Sequence, residues 1–148
     1  MRAVVQRTIR SSVTSEGTET GRIGEGLTVL LGVGRDDDEK DVVYTADKIL
    51  NLRIFEDENG KTNLSLADVN GELLLISQFT LYANCKRGNR PSFIESGDPA
   101  LAEELYEYII SKCKENVPVV EKGSFGADMK VSLINDGPFT IVLDSDCM

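Results

Sequence analysis

Two short apolar runs constrain the fold of this chain more than any other feature of its sequence. Leu27–Gly34 (LTVLLGVG) is bounded by glycine and predicts a buried strand. Leu73–Leu81 (LLLISQFTL) predicts a second strand, which ends in polar residues. The other strand-like segments are Arg2–Val13, Leu52–Glu56, Val117–Val120, Met129–Ile134 and Phe139–Leu143. About seven strands, most of them adjacent in the chain, predict a sheet-rich domain.

Two segments predict helices that cover one face of this sheet. Asp37–Asn51 repeats apolar residues at three- and four-residue spacing after a run of aspartates, which suits a helix N-terminus. Asp98 and Pro99 form a strong N-cap and first-turn pair for a second amphipathic helix. No repeat or linker divides the chain, so we expect one α+β domain over residues 1–148, with mainly antiparallel sheets and two helices on one face.

The sequence contains no histidine, which removes the usual general base near neutral pH and the usual zinc ligand. Cys85, Cys113 and Cys147 are odd in number and widely spaced, a usage typical of a reducing compartment. The start of the chain lacks the apolar run of a signal peptide, and no apolar stretch is long enough to span a membrane. We therefore expect a cytoplasmic protein with no metal, no cofactor and no membrane contact.

The charge argues against a protein that coats nucleic acid. Lys and Arg number 16 and Asp and Glu 25, for a net charge of −9, whereas phosphate binding favours a basic surface. Lys86, Arg87 and Arg90 are the exception, since no acidic residue lies between Glu72 and Glu95. These three cations form either a solvated surface loop or a small patch that contacts phosphates.

The polar end of the second apolar run is the first candidate for chemistry. If the strand continued through it, Ser77 and Phe79 would point to one face and Gln78 and Thr80 to the other. A strand end with hydrogen-bonded hydroxyls explains this composition without any function. A hydroxyl with no histidine nearby is a poor nucleophile, so catalysis here would depend on backbone N–H groups and positioned side chains.

The second candidate is the segment 135–140 (NDGPFT), between two strand-like segments. Its composition is that of a hairpin turn. Alternatively, the bond before Pro138 is cis, which would create a rigid backbone feature with fixed carbonyl oxygens. Composition does not choose between the two.

These two segments together resemble the signature motifs of the D-aminoacyl-tRNA deacylase family, S-Q-x-T-L and N-x-G-P-x-T. Three flanking segments resemble the same family at matching places: MRAVVQR at the start, KRGNRPSF at 86–93 and FGADMKVSLINDGP at 125–138. The resemblance covers essentially the whole chain. It implies a three-layer α/β/β fold and a homodimeric hydrolase that cleaves the ester between a D-amino acid and the 3′-terminal adenosine of tRNA, a proofreading step of translation.

The resemblance also implies roles for individual residues. Gly137 and Pro138 would form a cis peptide that enters the pocket of the other subunit, with Arg7 orienting the turn. The catalytic pocket would be lined by Ser77, Gln78, Phe79 and Thr80, with the backbone N–H groups near Phe79 and Thr80 meeting the substrate. Further substrate contacts would come from Met129, which lies near the adenosine in this family, and from Asn135, Thr140, Lys86, Arg87 and Arg90.

Two mechanisms remain once histidine, metal and thiol chemistry are set aside. Either Thr80 is the nucleophile, or water attacks with help from the 2′-hydroxyl of the substrate ribose; we favour the second, because an aminoacyl ester is already activated. Fixed carbonyls of a Gly-Pro turn can bind the α-amino group while blocking an L side chain. Many D-amino acids, and glycine, should then be accepted. The rival hypothesis is a non-catalytic dimer of the same fold that binds nucleic acid such as DNA.

Overall fold

The computed structural model describes residues 1–147, which form eight strands, two α-helices and two 3₁₀ helices. The strands are β1 (Arg2–Ser15), β2 (Thr18–Ile23), β3 (Gly26–Gly32), β4 (Phe55–Glu56), β5 (Thr62–Leu64), β6 (Glu72–Ser77), β7 (Val120–Lys122) and β8 (Met129–Asp144). The helices are α1 (Glu39–Asn51), α2 (Pro99–Lys114), and the 3₁₀ helices η1 (Phe79–Tyr82) and η2 (Ser145–Cys147). The predicted α+β class is confirmed.

Six strands form one mixed sheet in the order β2-β1-β3-β6-β7, with β8 on the other edge of β1. The pairs β3–β6 and β6–β7 are parallel, whereas β1 pairs antiparallel with β2, β3 and β8. Strand β1 uses its first half for β3 and its second half for β2, while β8 follows it from Arg2 to Ser15. Strands β4 and β5 form a separate antiparallel pair.

The core lies on both faces of β6, which explains why this strand is apolar without alternation. Leu73 and Leu75 are buried in the cluster that includes α1 and α2. Leu74 and Ile76 are buried on the opposite side, in a cluster with Val13 and Ile23 from β1 and β2. The molecule is therefore layered, with helices on one side of the parallel strands and the second half of β1 with β2 on the other.

Both helices begin at aspartate caps. Asp98 accepts hydrogen bonds from the amides of Ala100 and Leu101, and Pro99 is the first helical residue, as the sequence predicts. The first helix starts slightly later than predicted, because Asp38 is its N-cap. Asp37 is instead buried, where it pairs with the N-terminal ammonium group at 2.6 Å.

Four interpretations of the strand-like segments are wrong in their bounds or their continuity. Strand β6 ends at Ser77 and the chain turns into η1, so the predicted alternation of Ser77–Leu81 does not occur. The segments on either side of 135–138 are not a hairpin, because both pair with β1 and belong to the single strand β8. Two segments are also misplaced: the predicted strand Leu52–Glu56 shortens to Phe55–Glu56, and Val117–Val120 shifts to Val120–Lys122.

None of the helices in residues 1–147 is both long and apolar enough to cross a membrane.

Candidate active site

A cavity of about 520 Å³ opens at the carboxyl end of β6. Four parts of the chain form it: the residue after β3, the end of β6 with the start of η1, the residues before and in the first turn of α2, and the segment before and at the start of β8. Its lining residues are Val33, Ile76, Ser77, Gln78, Phe79, Ser96, Gly97, Pro99, Ala102, Phe125, Gly126, Ala127, Asp128, Met129 and Val131. Four of the predicted site residues, Ser77, Gln78, Phe79 and Met129, are thus together on one cavity.

The helix η1 packs closely against the end of β3, because glycines at this end leave room for it. The Gln78 amide donates to the Leu31 carbonyl oxygen at 2.7 Å. A Cβ atom on Gly32 would lie 3.0 Å from the Gln78 carbonyl oxygen, and one on Gly34 would lie 2.7 Å from the Tyr82 hydroxyl. Glycine at both positions therefore gives η1 room to lie against β3.

The start of η1 offers backbone donors. The first amides of a helix have no intrahelical acceptor, and the Gln78 side chain does not cap this one. The amides concerned are those of Phe79, which lines the rim of the cavity, and of Thr80, the next residue in the chain. Two adjacent N–H groups at such a rim can bind a carbonyl oxygen or an oxyanion.

The Thr80 side chain lies at the exposed edge of this region, outside the cavity lining. Its Oγ1 atom accepts a hydrogen bond from the Gln78 side-chain nitrogen. An amide NH₂ group is a donor and does not remove a proton from a hydroxyl. Within the described residues, no carboxylate hydrogen-bonds to Thr80, so the structure supplies no general base for it.

The remaining cavity wall includes Ser96, Gly97, Pro99 and Phe125. None of these four was assigned to the site from the sequence. Phe125 packs against the ring of Tyr106, with ring centroids 5.8 Å apart. Tyr106 is buried, its hydroxyl donates to the Leu75 carbonyl oxygen at 2.7 Å, and burial raises its pKa. The Asp98-Pro99 cap marked the start of α2, but nothing in the sequence showed that it faces a cavity.

The segment 135–140 is a bulge inside β8. Gln6 of β1 pairs with Thr140 and Thr8 pairs with Asn135, so the residues between them loop out of the ladder. The Gly137–Pro138 peptide bond is cis, and both residues are exposed. Neither lines the cavity of its own chain.

The side chain of Asn135 braces this bulge from within. Its Oδ1 atom accepts from the Phe139 amide at 2.6 Å, and its Nδ2 group donates to the Thr140 hydroxyl at 3.0 Å. Gly137 has a φ of +136°, and a Cβ atom there would lie 3.0 Å from the Phe139 nitrogen. Glycine is therefore required at 137 by both backbone conformation and space.

Arg7 connects the bulge to the core. Its guanidinium is buried, with Nε donating to the Asp136 carbonyl oxygen at 3.0 Å and Nη1 donating to the Ile54 carbonyl oxygen at 2.6 Å. The same group lies over the Phe139 ring at 5.0 Å. A planar guanidinium with several fixed donors can serve these partners at once.

The three cations Lys86, Arg87 and Arg90 lie on one exposed loop, and none of them forms an ion pair within residues 1–147. The loop is closed by paired hydrogen bonds between the backbones of Asn84 and Ser92, at 2.8 and 2.9 Å. Phe93 follows and packs edge-on against Phe79, with centroids 5.0 Å apart. The loop therefore leaves η1 and returns beside the cavity.

Cysteine and metal chemistry gain no support from the geometry of residues 1–147. Cys113 is buried, and desolvation raises the pKa of its thiol to about 12. Cys85 and Cys147 are exposed and free. The part of the chain that the structure describes holds no cluster of three or more potential metal ligands.

Comparison with known proteins gives a consistent result. Residues 4–144 match the family model described as D-Tyr-tRNA(Tyr) deacylase. The chain is 58% identical to a D-aminoacyl-tRNA deacylase of Thermosipho africanus, over 98% of this chain and 97% of the relative. It is 57% identical to a protein of the same name from Clostridium kluyveri, over 99% and 98% of the two chains.

Two solved structures are also similar. One is titled c-Myc DNA Unwinding Element Binding Protein; it has a TM-score of 0.93 and 42% identity, over 98% of this chain and 99% of the other. The second, titled as the structural analysis of a probable eukaryotic D-amino acid tRNA deacylase, has a TM-score of 0.82 over 96% and 97% of the two chains. Its identity is 17%, so this likeness concerns the fold alone.

Proposed function

The chain belongs to the D-Tyr-tRNA(Tyr) deacylase family and is a D-aminoacyl-tRNA deacylase, and on that premise we propose that its cavity at the end of β6 holds the 3′-terminal aminoacyl-adenosine of the tRNA. The observation that carries this proposal is the meeting of Ser77, Gln78, Phe79 and Met129 on one cavity. The reaction is hydrolysis of the aminoacyl ester to free D-amino acid and tRNA. It would serve chiral proofreading of translation in the cytoplasm.

The amides of Phe79 and Thr80 are the proposed oxyanion hole. As water adds to the ester carbonyl, the carbonyl oxygen gains negative charge. The two N–H groups at the start of η1 would bind this charged oxygen more strongly than they bind the oxygen of the neutral ester. Donors fixed in a helix turn need no reorganisation during the reaction. Binding and orientation can supply much of the remaining acceleration, because the ester is already activated.

We propose that the substrate's own 2′-hydroxyl assists the attacking water, and that Thr80 is not a nucleophile. The support is twofold: Thr80 Oγ1 accepts a hydrogen bond from Gln78, a donor that cannot take its proton, and among the described residues nothing accepts a hydrogen bond from this hydroxyl. The vicinal 2′-hydroxyl of the ribose lies next to the ester in every aminoacyl-tRNA and can polarise the water.

The test compares two changes, one in the enzyme and one in the substrate. Thr80→Ala should retain activity within about tenfold, whereas a D-aminoacyl-tRNA ending in 2′-deoxyadenosine should lose about 100-fold or more, a loss typical of removing a group that acts in the transition state. Both are measured as single-turnover rates of ester loss. A folded Thr80→Ala protein that binds tRNA normally but is inactive would instead make Thr80 the nucleophile.

Chiral selection is proposed to come from the Gly137-Pro138 bulge of a second subunit in a homodimer. The bulge is exposed and does not line the cavity of its own chain, which favours a role at the cavity of another copy of the chain. Within residues 1–147, strand β8 pairs only with β1, and Val142, which is 69% exposed, lies on it. An edge strand with apolar exposure is a suitable dimer contact.

In that dimer the carbonyl oxygens of the bulge would accept hydrogen bonds from the substrate α-ammonium group, while Asn135 and Thr140 keep the bulge in shape. An L side chain would then be directed into the bulge and excluded, whereas hydrogen or a D side chain would not be. D-Tyrosyl-, D-aspartyl- and glycyl-tRNA should all be hydrolysed, and L-tyrosyl-tRNA should persist. Glycyl-tRNA that resists enzyme concentrations able to clear D-tyrosyl-tRNA would refute selection by exclusion.

A second candidate function rests on one comparison. The solved structure at 42% identity is titled as a DNA-unwinding-element binding protein. This title favours, as the second candidate, a non-catalytic dimer that binds nucleic acid. The two are distinguished by incubating the protein with D- and L-aminoacyl-tRNA and following the ester. D-selective ester loss supports the enzyme, whereas no loss together with DNA binding at physiological salt supports the binding protein.

A further inference from the structure

Arg2, the first residue of β1, contacts the carboxyl end of η1. Its Nη1 group donates to the Leu81 carbonyl oxygen at 3.2 Å, and its guanidinium lies over the Tyr82 ring at 4.4 Å from the centroid. Its Nε group donates to Asp144 Oδ2 at 2.9 Å. One side chain thus joins η1 to the end of β8.

Tyr82 is the side chain through which η1 packs against the end of β3. It is 4% exposed, and its hydroxyl has no hydrogen-bond partner within the described residues. The ring fits against Gly32 and Gly34 of the β3 end, where side chains are absent. Without a hydrogen bond of its own, the ring depends on packing, and the guanidinium of Arg2 covers it.

We propose that Arg2 is a positioning residue for the deacylation reaction. It fixes the end of η1 at Leu81 and Tyr82, and through this short helix it sets the direction of the Phe79 and Thr80 amides at its start. Asp144 orients the guanidinium for that role. The inference rests on the proposed function of those two amides as oxyanion donors.

The chemistry of the side chain explains why arginine suits this position. Nε and Nη1 point in fixed, different directions, so one planar group serves Asp144 and Leu81 while its face remains on the Tyr82 ring. Lysine could retain the charge opposite Asp144 and the contact with the ring, but it could not hold both acceptors in this geometry. Strand β1 would then support both halves of the site, with Arg2 at η1 and Arg7 at the 135–140 bulge.

The test uses Arg2→Gln, Arg2→Lys and Asp144→Asn in the full chain, with Arg53→Gln as the matched control. Arg53 also donates to a backbone carbonyl, that of Asn63 at 2.8 Å, but it lies outside the candidate site. For each protein, kcat and KM for D-tyrosyl-tRNA are measured, together with Tm and amide hydrogen exchange in the peptide covering residues 78–83.

Arg2→Gln is expected to lower kcat about tenfold with KM within about twofold, because misplaced donors weaken only transition-state binding. Exchange in residues 78–83 should become faster while exchange in α1 stays unchanged. Arg2→Lys should restore part of kcat, Asp144→Asn should lie between Arg2→Gln and wild type, and Arg53→Gln should match wild type. If Arg2→Gln does not fold, the same pattern in Arg2→Lys and Asp144→Asn supports the proposal.

Three outcomes would overturn it. In the first, the wild type is active and both Arg2→Gln and Arg2→Lys have the same kcat as wild type; this outcome leaves the proposed function intact. In the second, the Arg2 variants lose kcat but also have a lower Tm and faster amide hydrogen exchange throughout the chain, which would mean that Arg2 stabilises the whole fold and does not position η1. If the wild type itself is inactive, the proposed function fails, and unchanged exchange in residues 78–83 of Arg2→Gln would then refute the positioning role independently.

Discussion

The segments 77–82 and 135–140 carry the two motifs of this chain, and they differ in how they are supported. The first follows a strand that is buried on both faces, rests on Gly32 and Gly34, and borders a cavity of about 520 Å³. The second interrupts strand β8 and is exposed at Gly137 and Pro138. Arg7 reaches it from β1, and Phe139 packs its ring against the core.

The difference indicates two separate tasks. A segment supported from behind and open to a cavity can bind a ligand within its own chain. A braced, exposed bulge that does not line that cavity is available for contact with a second molecule. One polypeptide therefore carries an open cavity and an exposed bulge that is not part of it. In a dimer, the bulge of each chain could complete the cavity of the other.

The largest expected effect tests which pocket the bulge serves. Gly137→Ala introduces a Cβ 3.0 Å from the Phe139 nitrogen at a φ of +136°, and it should reduce deacylation about 100-fold by displacing the bulge. Ala127→Trp should block the cavity and be equally inactive. When the two inactive chains are co-expressed, about half of the dimers should be mixed, and each mixed dimer has one complete site of two. The preparation as a whole should therefore recover roughly a quarter of the wild-type activity.

The control is each variant chain alone, purified and assayed at the same total concentration. Because the strain falls on an exposed bulge, the variant should have a lower Tm than wild type but should remain folded at the assay temperature, which excludes unfolding as the cause. If the bulge acted in its own subunit, the mixed dimers would contain no complete site, and co-expression would recover nothing.

The next effect concerns the connection between the bulge and the core. Arg7→Lys keeps the charge but cannot serve both Asp136 and Ile54, so it should lower the free energy of unfolding by about 2–3 kcal/mol and reduce kcat about tenfold. Urea unfolding and steady-state kinetics measure the two quantities. Full activity in a destabilised Arg7→Lys protein would mean that the bulge keeps its shape through Asn135 alone.

The elements that local pattern determines were predictable from the sequence. The apolar period of α1, the Asp98-Pro99 cap of α2 and the glycine-bounded β3 all depend on neighbours in the chain. Of the two interpretations that composition left open for 135–140, the hairpin is wrong, because its turn-forming residues are a local signal, whereas the pairing of both flanks with β1 is a long-range contact. The sequence of this segment did allow for a cis bond before Pro138, and the structure has one.

The site was predictable through its motifs and not through its geometry. Residues 77–80 were identified, but their conformation depends on the space beside Gly32, the last residue of β3, and Gly34, which follows that strand. Ser96 and Gly97 were missed because a polar residue and a glycine before a helix cap are ordinary loop composition. Arg2 was missed for the same kind of reason, since its partners Leu81 and Asp144 are distant in the chain.

The smallest expected effect concerns the basic loop next to the first segment. Replacing Lys86, Arg87 and Arg90 by Gln should raise KM about threefold to tenfold and leave kcat unchanged, since exposed phosphate contacts bind substrate and transition state alike. The slope of log(kcat/KM) against log salt should become shallower by about 2, as expected for the loss of three contacts with a single-stranded end.

The matched control is Lys40→Gln, Lys61→Gln and Lys114→Gln, which makes the same change in net charge at exposed positions outside this loop. Steady-state kinetics from 50 to 200 mM KCl, a range over which phosphate contacts weaken markedly, would be compared for both triple variants. Equal salt slopes in the two would show a general effect of net charge. A shallower slope in the loop variant alone would show that tRNA approaches the cavity from the η1 side, where Phe93 packs on Phe79. In that arrangement the first segment would contribute to both RNA binding and chemistry, and the bulge would contribute to selection alone.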